Sequence, residues 1–322
     1  MRVGKIPESV LKRSIFKNIK VRNKEVISKT TVGGDSAILN SNNESYISVS
    51  VDPIVFDLSI PNVSAKVAIA AGINNISTSG AKASAILTSI LLPENIEERD
   101  IKIIVRSLED AAAIENISIV GGHTEVTSSV KDPIVAITTI GYVNKEKLVE
   151  AGRAKPGDDI ICTKWIALED TAIIANKEED KLKERFSEGF VNRAMQYDSL
   201  LTVSKDVNTI VDCKISSMHD VRSKGIFAAL WELAEGAKVG LTVDLMKIPV
   251  RQETVEIFEE FGLNPYEAKS SGALLIATPM GNEVVNALNS AGIDATIIGK
   301  ITDSNDRVVI NGDEKRFLEP SK

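Results

Sequence analysis

Short stretches in which hydrophobic and polar positions alternate predict β-strands in both halves of the chain. Tyr46–Asp52 alternates strictly, and Pro133–Val143 is rich in β-branched residues. Shorter apolar stretches bounded by polar or glycine positions predict further strands at Ile117–Val120, Ile160–Thr163, Ala273–Ala277 and Ala295–Gly299. The first of these leads directly into Gly121–Gly122, so we expect the two glycines at a strand end.

Between these strands, apolar residues recur at helical spacing. In Ile96–Asn116 they fall three or four positions apart, which is typical of a helix with one buried face. The same reasoning predicts helices at Ser64–Ser79, Lys177–Glu188, Ile226–Ala237, Gln252–Phe261 and Asn282–Ala291. The N-terminal block is therefore expected to be a mixed βααβ unit. The polar stretch Ala151–Asp159 contains Pro156–Gly157 and predicts a boundary between domains 1–152 and 153–322.

Composition narrows the class of protein. The 322 residues carry a net charge of −7, which argues against a nucleic-acid partner. No apolar run approaches the roughly 18 residues that a membrane helix needs, and no apolar targeting segment is apparent at the start. We therefore expect a cytoplasmic protein. Only two cysteines and two histidines occur, so the chemistry must rest mainly on carboxylates, amides, lysines and backbone N–H groups.

Two segments near the N-terminus pair small residues with an acid. Gly33 and Gly34 allow a turn whose N–H groups face a phosphate, and the adjacent Asp35 offers a ligand for Mg²⁺. Asp52 follows a predicted strand and precedes Pro53, which places a carboxylate at a strand exit. Most Gly-Gly-Asp triplets are plain turns, and a solvated or capping aspartate is at least as good an interpretation of Asp52.

Three further segments suggest contacts with a ligand. Asn74 and Asn75 are adjacent amides in an apolar helix, where buried amides need partners. Gly121–Glu125 combines flexible backbone with an imidazole and a carboxylate, although a plain turn fits it as well. His219–Asp220 precedes the helix at Ile226, whose N-terminus suits an anion, or Asp220 caps that helix.

In this order, the segments resemble the aminoimidazole ribonucleotide synthetase-related superfamily over nearly the whole chain, and most of all its hydrogenase-maturation branch. The resemblance rests on VGGDSAI (32–38), SVD (50–52), INNISTSGA (73–81), GGHTEVT (121–127), KPGDDIICTKWIALEDTA (155–172), MHDVRSKGI (218–226) and SSGALLIA (270–277). It implies an α+β fold of two domains, in which the sheet of the N-terminal domain pairs with that of a second subunit. It also implies ATP as ligand, with Mg²⁺ on its phosphates.

The resemblance assigns roles to individual residues. It implies that Asp35 and Asp52 hold Mg²⁺. The candidate catalytic residues are His123, Glu125 and Asp220. The candidate nucleotide contacts are Gly33, Gly34, Asn74, Asn75, Gly121, Gly122 and Thr124.

Several positions depart from the family pattern. Ser36 and Asn75 stand where acids are usual, and an amide is a weaker Mg²⁺ ligand than a carboxylate. Arg222 and Lys224 stand where Thr and Gly are usual; they either neutralise phosphate or are solvated loop cations, and we expect the latter. The sequence ends FLEPSK without the terminal cysteine of the maturation branch, so we expect no thiocyanate chemistry on its own tail.

Three functions are therefore open: an ATP-dependent enzyme, which the motifs favour, a nucleotide-binding regulator that has lost catalysis, and a dimeric scaffold with an empty pocket. The substrate of the enzyme would be a small molecule or a group on a partner protein.

Overall fold

The structure is a computed structural model that describes residues 5–28, 31–41 and 44–320. The expectations about the start of the chain and about its last residues, Ser321 and Lys322, fall partly outside these ranges. No helix in the described ranges has the length and apolar character needed to cross a membrane.

The N-terminal half forms a five-stranded sheet in the order β1-β2-β5-β3-β4. The pairs are antiparallel apart from β3 and β4, which run parallel. Helices α2 and α3 cover one face of this sheet and bury the larger hydrophobic core against it. The strands are β1 (Ala37–Asn40), β2 (Ser45–Val55), β3 (Lys82–Leu92), β4 (Ser118–Val126) and β5 (Ile134–Asn144), and the helices are α2 (Pro61–Ser77) and α3 (Glu98–Ile114).

The predicted βααβ unit is wrong in one respect, because β3 lies between the two helices. Its sequence, KASAILTSILL, alternates poorly. The register of β3 shifts against β5 between Ala83 and Ala85, and against β4 between Ile86 and Leu87. Such irregularities break the period of two on which strand prediction depends.

The C-terminal half forms a seven-stranded sheet in the order β12-β11-β8-β10-β6-β9-β7, mixed in orientation because β8 and β11 are parallel. The last strand of the first sheet ends at Asn144, and the second sheet begins at Asp159, so the predicted boundary falls between them. The two halves make an α+β fold, as expected. The strands are β6 (Asp159–Thr163), β7 (Ser217–Asp220), β8 (Gly240–Asp244), β9 (Leu274–Thr278), β10 (Ala295–Thr302), β11 (Arg307–Asn311) and β12 (Glu314–Phe317).

Helices and short helical turns lie between these strands along the chain. The helical stretch predicted near Lys177–Glu188 is a short helix at Glu179–Arg185, between a helix that ends at Lys177 and one that begins at Glu188 after the serine N-cap Ser187. The helices are α4 (Leu168–Lys177), α5 (Glu179–Arg185), α6 (Glu188–Met195), α7 (Ser204–Thr209), α8 (Gly225–Ala237), α9 (Gln252–Glu260) and α10 (Gly281–Ser290), with 3₁₀ turns at Lys145–Lys147, Gln196–Leu200 and Leu245–Lys247.

Helix α2 joins the two halves. It is buried on nearly all sides, as its Ala- and Ile-rich sequence requires. Lys66 on this helix pairs with Asp198 at 2.7 Å, and the Thr202 hydroxyl donates to Glu115 on α3 at 3.0 Å. The segment at residues 196–203 is thereby fixed to α2 and to the C-terminal end of α3.

An N-terminal segment crosses α8. It consists of helix α1 (Glu8–Val10), a π-helical turn at Leu11–Ile15 and a 3₁₀ turn at Phe16–Asn18. The Trp231 indole N–H donates to Glu8 at 2.7 Å, and Lys5 pairs with Glu232. The segment therefore lies beside the side chains that α8 contributes to the site.

Candidate functional site

Five carboxylates from distant parts of the sequence lie close together where the two sheets meet. We call them the carboxylate cluster: Asp35, Asp52, Glu169, Asp220 and Glu232. Two cations lie among them, His219 and Arg222. Most of these side chains are buried or nearly so, and their charges act on one another through protein rather than through water.

Asp52 lies on the face of β2 that α2 covers. Alternate residues of this strand, such as Ser48 and Ser50, face the helix, and the Ser50 hydroxyl donates to the Gly72 carbonyl of α2 at 3.2 Å. Asp52 lies two residues after Ser50 and faces the same way, and its carboxylate accepts a hydrogen bond from the Asn75 amide at 3.3 Å. The structure therefore brings together two of the predicted site residues, Asp52 and Asn75.

Arg222 is the main partner of Asp52. Its Nη1 donates to Asp52 Oδ2, and its Nε lies 3.8 Å from Glu169 Oε2. The Arg222 side chain is 13% exposed, and that of Glu169 is fully buried. The expectation that Arg222 is a solvated loop cation is wrong, because two carboxylates draw its guanidinium into the cleft.

Residues of the C-terminal half hold the Glu169 side chain in place. It lies in the first turn of α4, where a carboxylate is favoured by the helix N-terminus. The Ser271 hydroxyl donates to its Oε2 at 2.6 Å, and Lys269 lies 3.8 Å from its Oε1. Burial, followed by the Glu169 charge, raises the pKa of the neighbouring Asp170 to about 6.

His219 connects two acids of the cluster. Its Nδ1 lies 3.0 Å from Asp35 and its Nε2 lies 3.1 Å from Glu232. Burial alone would lower the pKa of His219, but the Asp35 and Glu232 carboxylates outweigh it and raise this pKa to about 10. His219 is therefore an imidazolium at neutral pH, and Asp35 is held in an ion pair.

Asp220 ends β7 and is buried in the middle of the cluster. Within the described part of the chain, neither of its carboxylate oxygens has a hydrogen-bond partner. Burial and the nearby Asp35 charge raise its pKa to about 7. A carboxyl group in this state can accept or release a proton near neutral pH. Asp220 does not cap α8, whose N-cap is Lys224 with a φ of 63°.

Asn74 does not belong to this cluster. It is fully buried, its amide donates to the Leu201 carbonyl at 2.8 Å, and its oxygen accepts from the Val203 N–H at 2.9 Å. Both polar atoms of the side chain are thus used in fixing the C-terminal half to α2. The predicted nucleotide contact of Asn74 stays a prediction.

Gly33, Gly34 and Asp35 line a cavity of about 720 Å³ between the N-terminal segment, β2 and α8. Gly33 has a φ of +70°, and a Cβ there would lie 2.8 Å from the Glu232 carbonyl oxygen. Glycine is therefore required for the loop to approach α8 so closely. Trp231 and Glu232 form part of the opposite wall. A cavity of this size is adequate for a nucleotide.

The predicted site residues Gly121–Glu125 lie elsewhere on the first sheet. They form the middle of β4, which β3 and β5 separate from β2. The expectation that the glycines stand at a strand end is wrong. A Cβ at Gly122 would lie 1.9 Å from the Thr88 carbonyl oxygen, so the close approach of β4 to β3 requires glycine there.

His123 and Glu125 contact each other at 3.0 Å and are largely exposed on the edge strand. Gly121, Gly122 and Thr124 on the same strand are exposed as well. Within the chain as described, these five residues are not part of the carboxylate cluster. Their predicted roles in catalysis and nucleotide binding stay predictions.

The predicted magnesium ligands, Asp35 and Asp52, each have a cationic partner in the structure. His219 pairs with the first and Arg222 with the second. In the described ranges, no three His, Cys, Asp or Glu side chains are grouped closely enough to share a metal ion. As these side chains are arranged, they do not fit a divalent cation held directly between them.

Sequence reasoning missed the site roles of Glu169, Glu232, Arg222 and Ser271. Glu232 lies in the amphipathic α8, where an acid is ordinarily a solvated residue. Arg222 was noticed only as a departure from a family pattern. The detectable signal was the acidic start of α4 together with an arginine two residues after Asp220.

A second cavity, of about 820 Å³, lies near the C-terminal ends of α2 and α3. Trp165, Lys164 and Arg251 line it, and none of the predicted site residues does so among the residues that the structure describes. Lys164 is buried there against Asp206, with its Nζ 2.7 Å from a carboxylate oxygen and 2.7 Å from the Gly272 carbonyl. The Lys164 ammonium group has hydrogen-bond partners within the protein, so we interpret this lysine as a structural residue.

Comparison with known proteins finds relatives that match most of this chain. A Methanocaldococcus jannaschii protein, whose name assigns it provisionally to hydrogenase expression and formation, is 24% identical over 95% of this chain and 91% of its own length. The thiamine-monophosphate kinase of Pyrococcus horikoshii is 24% identical over 88% of this chain and 86% of its own length.

Solved structures share the fold. A ThiL protein complexed with AMPPCP and TMP superposes with a TM-score of 0.76 at 20% identity, over 99% of this chain and 98% of that one. The hydrogenase maturation protein HypE in complex with ATP gives 0.72 at 17% identity, over 98% and 94%. The family models for the N-terminal and C-terminal domains of AIR synthase related protein match residues 33–143 and 155–311. The chain belongs to the AIR synthase-related family.

Proposed function

We propose that this protein binds ATP in the cleft between its two sheets and uses it to activate an amide, carbonyl or phosphoryl acceptor. The observation that carries the proposal is the carboxylate cluster, in which Asp52 accepts from Asn75 and Asp220 lies near Asp35, beside a cavity of about 720 Å³ that Gly33 and Asp35 line. The nucleotide complexes of two proteins with the same fold support it.

The chain's own groups suit the electrostatics of phosphoryl transfer. Arg222 and Lys269 supply positive charge beside the buried carboxylates, which limits their repulsion of a polyphosphate. Asp220, whose pKa is raised to about 7 by burial and by Asp35, can take a proton from the acceptor. Magnesium on Asp35 and Asp52 remains an expectation from the family resemblance, and none of these steps depends on it.

The test is a calorimetric titration of the wild-type protein with ATP, ADP and a non-hydrolysable analogue. We expect ATP to bind in the micromolar range, and Asn75→Ala to weaken it at least about tenfold, since the variant removes a polar contact. Lys205→Ala is the matched control, because the exposed Lys205 lies at the second cavity. Absence of ATP binding to the wild type would sink the proposal.

One observation favours a second candidate, nucleotide binding without turnover. His219 pairs with Asp35, and Arg222 pairs with Asp52. Both predicted metal ligands are therefore neutralised, and less negative charge is left for catalysis than the family pattern supplies. Tight ATP binding with no phosphate release across a broad panel of acceptors would identify this regulatory function. Turnover that Asp220→Asn abolishes would identify the enzyme.

The outer face of the first sheet supports the expected homodimer. Apolar residues there are strongly exposed: Val51 at 65%, Val55 at 64% and Tyr142 at 51%. Exposed apolar side chains of this kind are typical of a protein interface, and a second copy would cover them. Light scattering of the wild type should give twice the chain mass, and Val55→Glu should give the monomer.

A further inference from the structure

Four side chains of alternating charge lie in a row from the N-terminal segment to Asp35. Lys5 Nζ pairs with Glu232 Oε1, and the other carboxylate oxygen of Glu232 lies 3.1 Å from His219 Nε2. The second ring nitrogen of His219, Nδ1, lies 3.0 Å from Asp35. We call these four residues the charge row. Two of them are cations and two are acids, so their charges cancel.

The charge row forms part of the wall of the cavity of about 720 Å³, which Lys5, Asp35 and Glu232 line. The side chain of Lys5 is 41% exposed and that of Glu232 only 12%, so Lys5 is the outer end of the row. Burial alone would raise the pKa of Glu232, but His219 and Lys5 outweigh it and lower this pKa to about 2. Glu232 is therefore a carboxylate at neutral pH. Without Lys5, the row would present a net negative charge to any anion in the cavity, poorly screened by water.

The other charged residues of this cavity suit an anion. Glu8, the remaining acid among the described residues of its wall, pairs with Lys12 at 2.5 Å and accepts from the Trp231 indole at 2.7 Å. Lys20 and Arg22 also line the cavity, and neither forms an ion pair within the described part of the chain. Every acid of the described wall is thus paired, which favours the approach of a polyphosphate.

We propose that Lys5 is a positioning residue of the nucleotide site, which cancels the charge of Glu232 and, through Glu232, holds His219 against Asp35. A polyphosphate in the cavity then meets a neutral wall on the side of α8. The inference rests on the proposed function for its ligand. Its first test needs no nucleotide, so its failure is distinguishable from a failure of ATP binding.

The first test is nuclear magnetic resonance of the imidazole side chains at pH 7. The sequence contains two histidines, His123 and His219, so His123→Gln assigns both sets of ring signals. We expect Lys5→Met to shift the signals of His219 and to leave those of His123 in place. Lys17→Met is the matched control, because Lys17 is an exposed lysine of the same segment outside the cavity wall, and it should shift neither set. Unchanged His219 signals in Lys5→Met would overturn the inference.

The second test is a calorimetric titration with ATP at pH 7. We expect Lys5→Met to weaken ATP binding at least about fivefold, because the Glu232 charge is left without its outer partner. Lys5→Arg and Lys17→Met should bind ATP within about twofold of the wild type. If the wild type binds no ATP, the proposed function fails, whereas the imidazole signals still decide whether Lys5 acts on His219.

A second substitution separates charge from structure. Glu232→Gln keeps an oxygen that can accept from His219 but carries no charge, so Lys5→Met/Glu232→Gln should return ATP affinity to within about twofold of the wild type. A double variant as weak as Lys5→Met would refute the inference, because removing Glu232's charge cannot repair a segment that is merely displaced.

The indole signal of Trp231 shows whether the N-terminal segment stays on α8. Its N–H donates to Glu8 of that segment, and the chain contains only one other tryptophan, so Trp165→Phe assigns the two indole signals. We expect the Trp231 signal of Lys5→Met to match that of the wild type. A signal shifted as in Glu8→Ala would show that Lys5 only holds the segment in place, and would overturn the inference.

Discussion

Replacing Asn74 by leucine would test whether the hydrogen bonds of this asparagine hold the two halves of the chain together. Leucine has a similar volume but neither a donor nor an acceptor, so the Leu201 carbonyl and the Val203 N–H would both lose their partner. Each orphaned buried group costs about 1–3 kcal/mol, and the buried methyl groups of leucine return roughly 1 kcal/mol. We expect the free energy of unfolding to fall by about 1–5 kcal/mol.

Urea denaturation followed by circular dichroism measures this loss. Asn75→Leu is the matched control, because within the described residues the Asn75 side chain makes a single hydrogen bond, 3.3 Å long, to Asp52. It should cost less than about 1 kcal/mol in stability while weakening ATP binding. A loss below about 0.5 kcal/mol for Asn74→Leu, or equal losses for the two variants, would refute the division into a structural and a ligand-binding asparagine.

Three further predictions concern charge and packing. The pKa of His219 is raised from its usual 6.5 to about 10, so the stability that the imidazolium contributes is complete below pH 6.5 and is lost as the pH rises toward 10. The free energy of unfolding should fall over this range by up to about 1.4 kcal/mol per pH unit. His219→Gln should flatten this pH dependence, measured by urea denaturation. Lys164→Met leaves the buried Asp206 carboxylate unpaired and should cost about 3–5 kcal/mol, of which Lys164→Met/Asp206→Leu should recover at least half; no recovery would contradict the ion-pair explanation. Gly72→Ala places a Cβ 2.0 Å from the Thr139 hydroxyl and should lower stability by about 1–3 kcal/mol, and adding Thr139→Ala should restore most of that loss, as thermal melts would report.

A helix or strand of this fold could be predicted from sequence where the residues that determine it lie within that element. Ile96–Asn116 predicted α3 well, because its apolar spacing reports a helix with one buried face. Strand β3 was missed because its bulges disturb the alternation. The glycines of β4 were placed at a strand end because a Gly-Gly pair usually marks a turn, whereas here the parallel strand β3 approaches Gly122 too closely for a side chain.

The site was predictable in part for the same reason. Asp52, Asn75 and Asp220 were found as single residues, and the structure brings them into one cluster with Asp35. Their partners could not be found, because a pattern in one segment does not reveal which cation from a distant segment will neutralise it. Arg222 and Asp52 are far apart in sequence and meet only through tertiary packing.

The fastening of α2 and α3 to residues 196–203 restricts how the cleft can choose a ligand. Asn74, Lys66 and Glu115 hold that segment at three points along the junction. Hinge closure of one half upon the other would break all three contacts, so it is an expensive motion for this chain. Discrimination between ligands must therefore come from groups already in place, and not from closure of one half on the correct molecule.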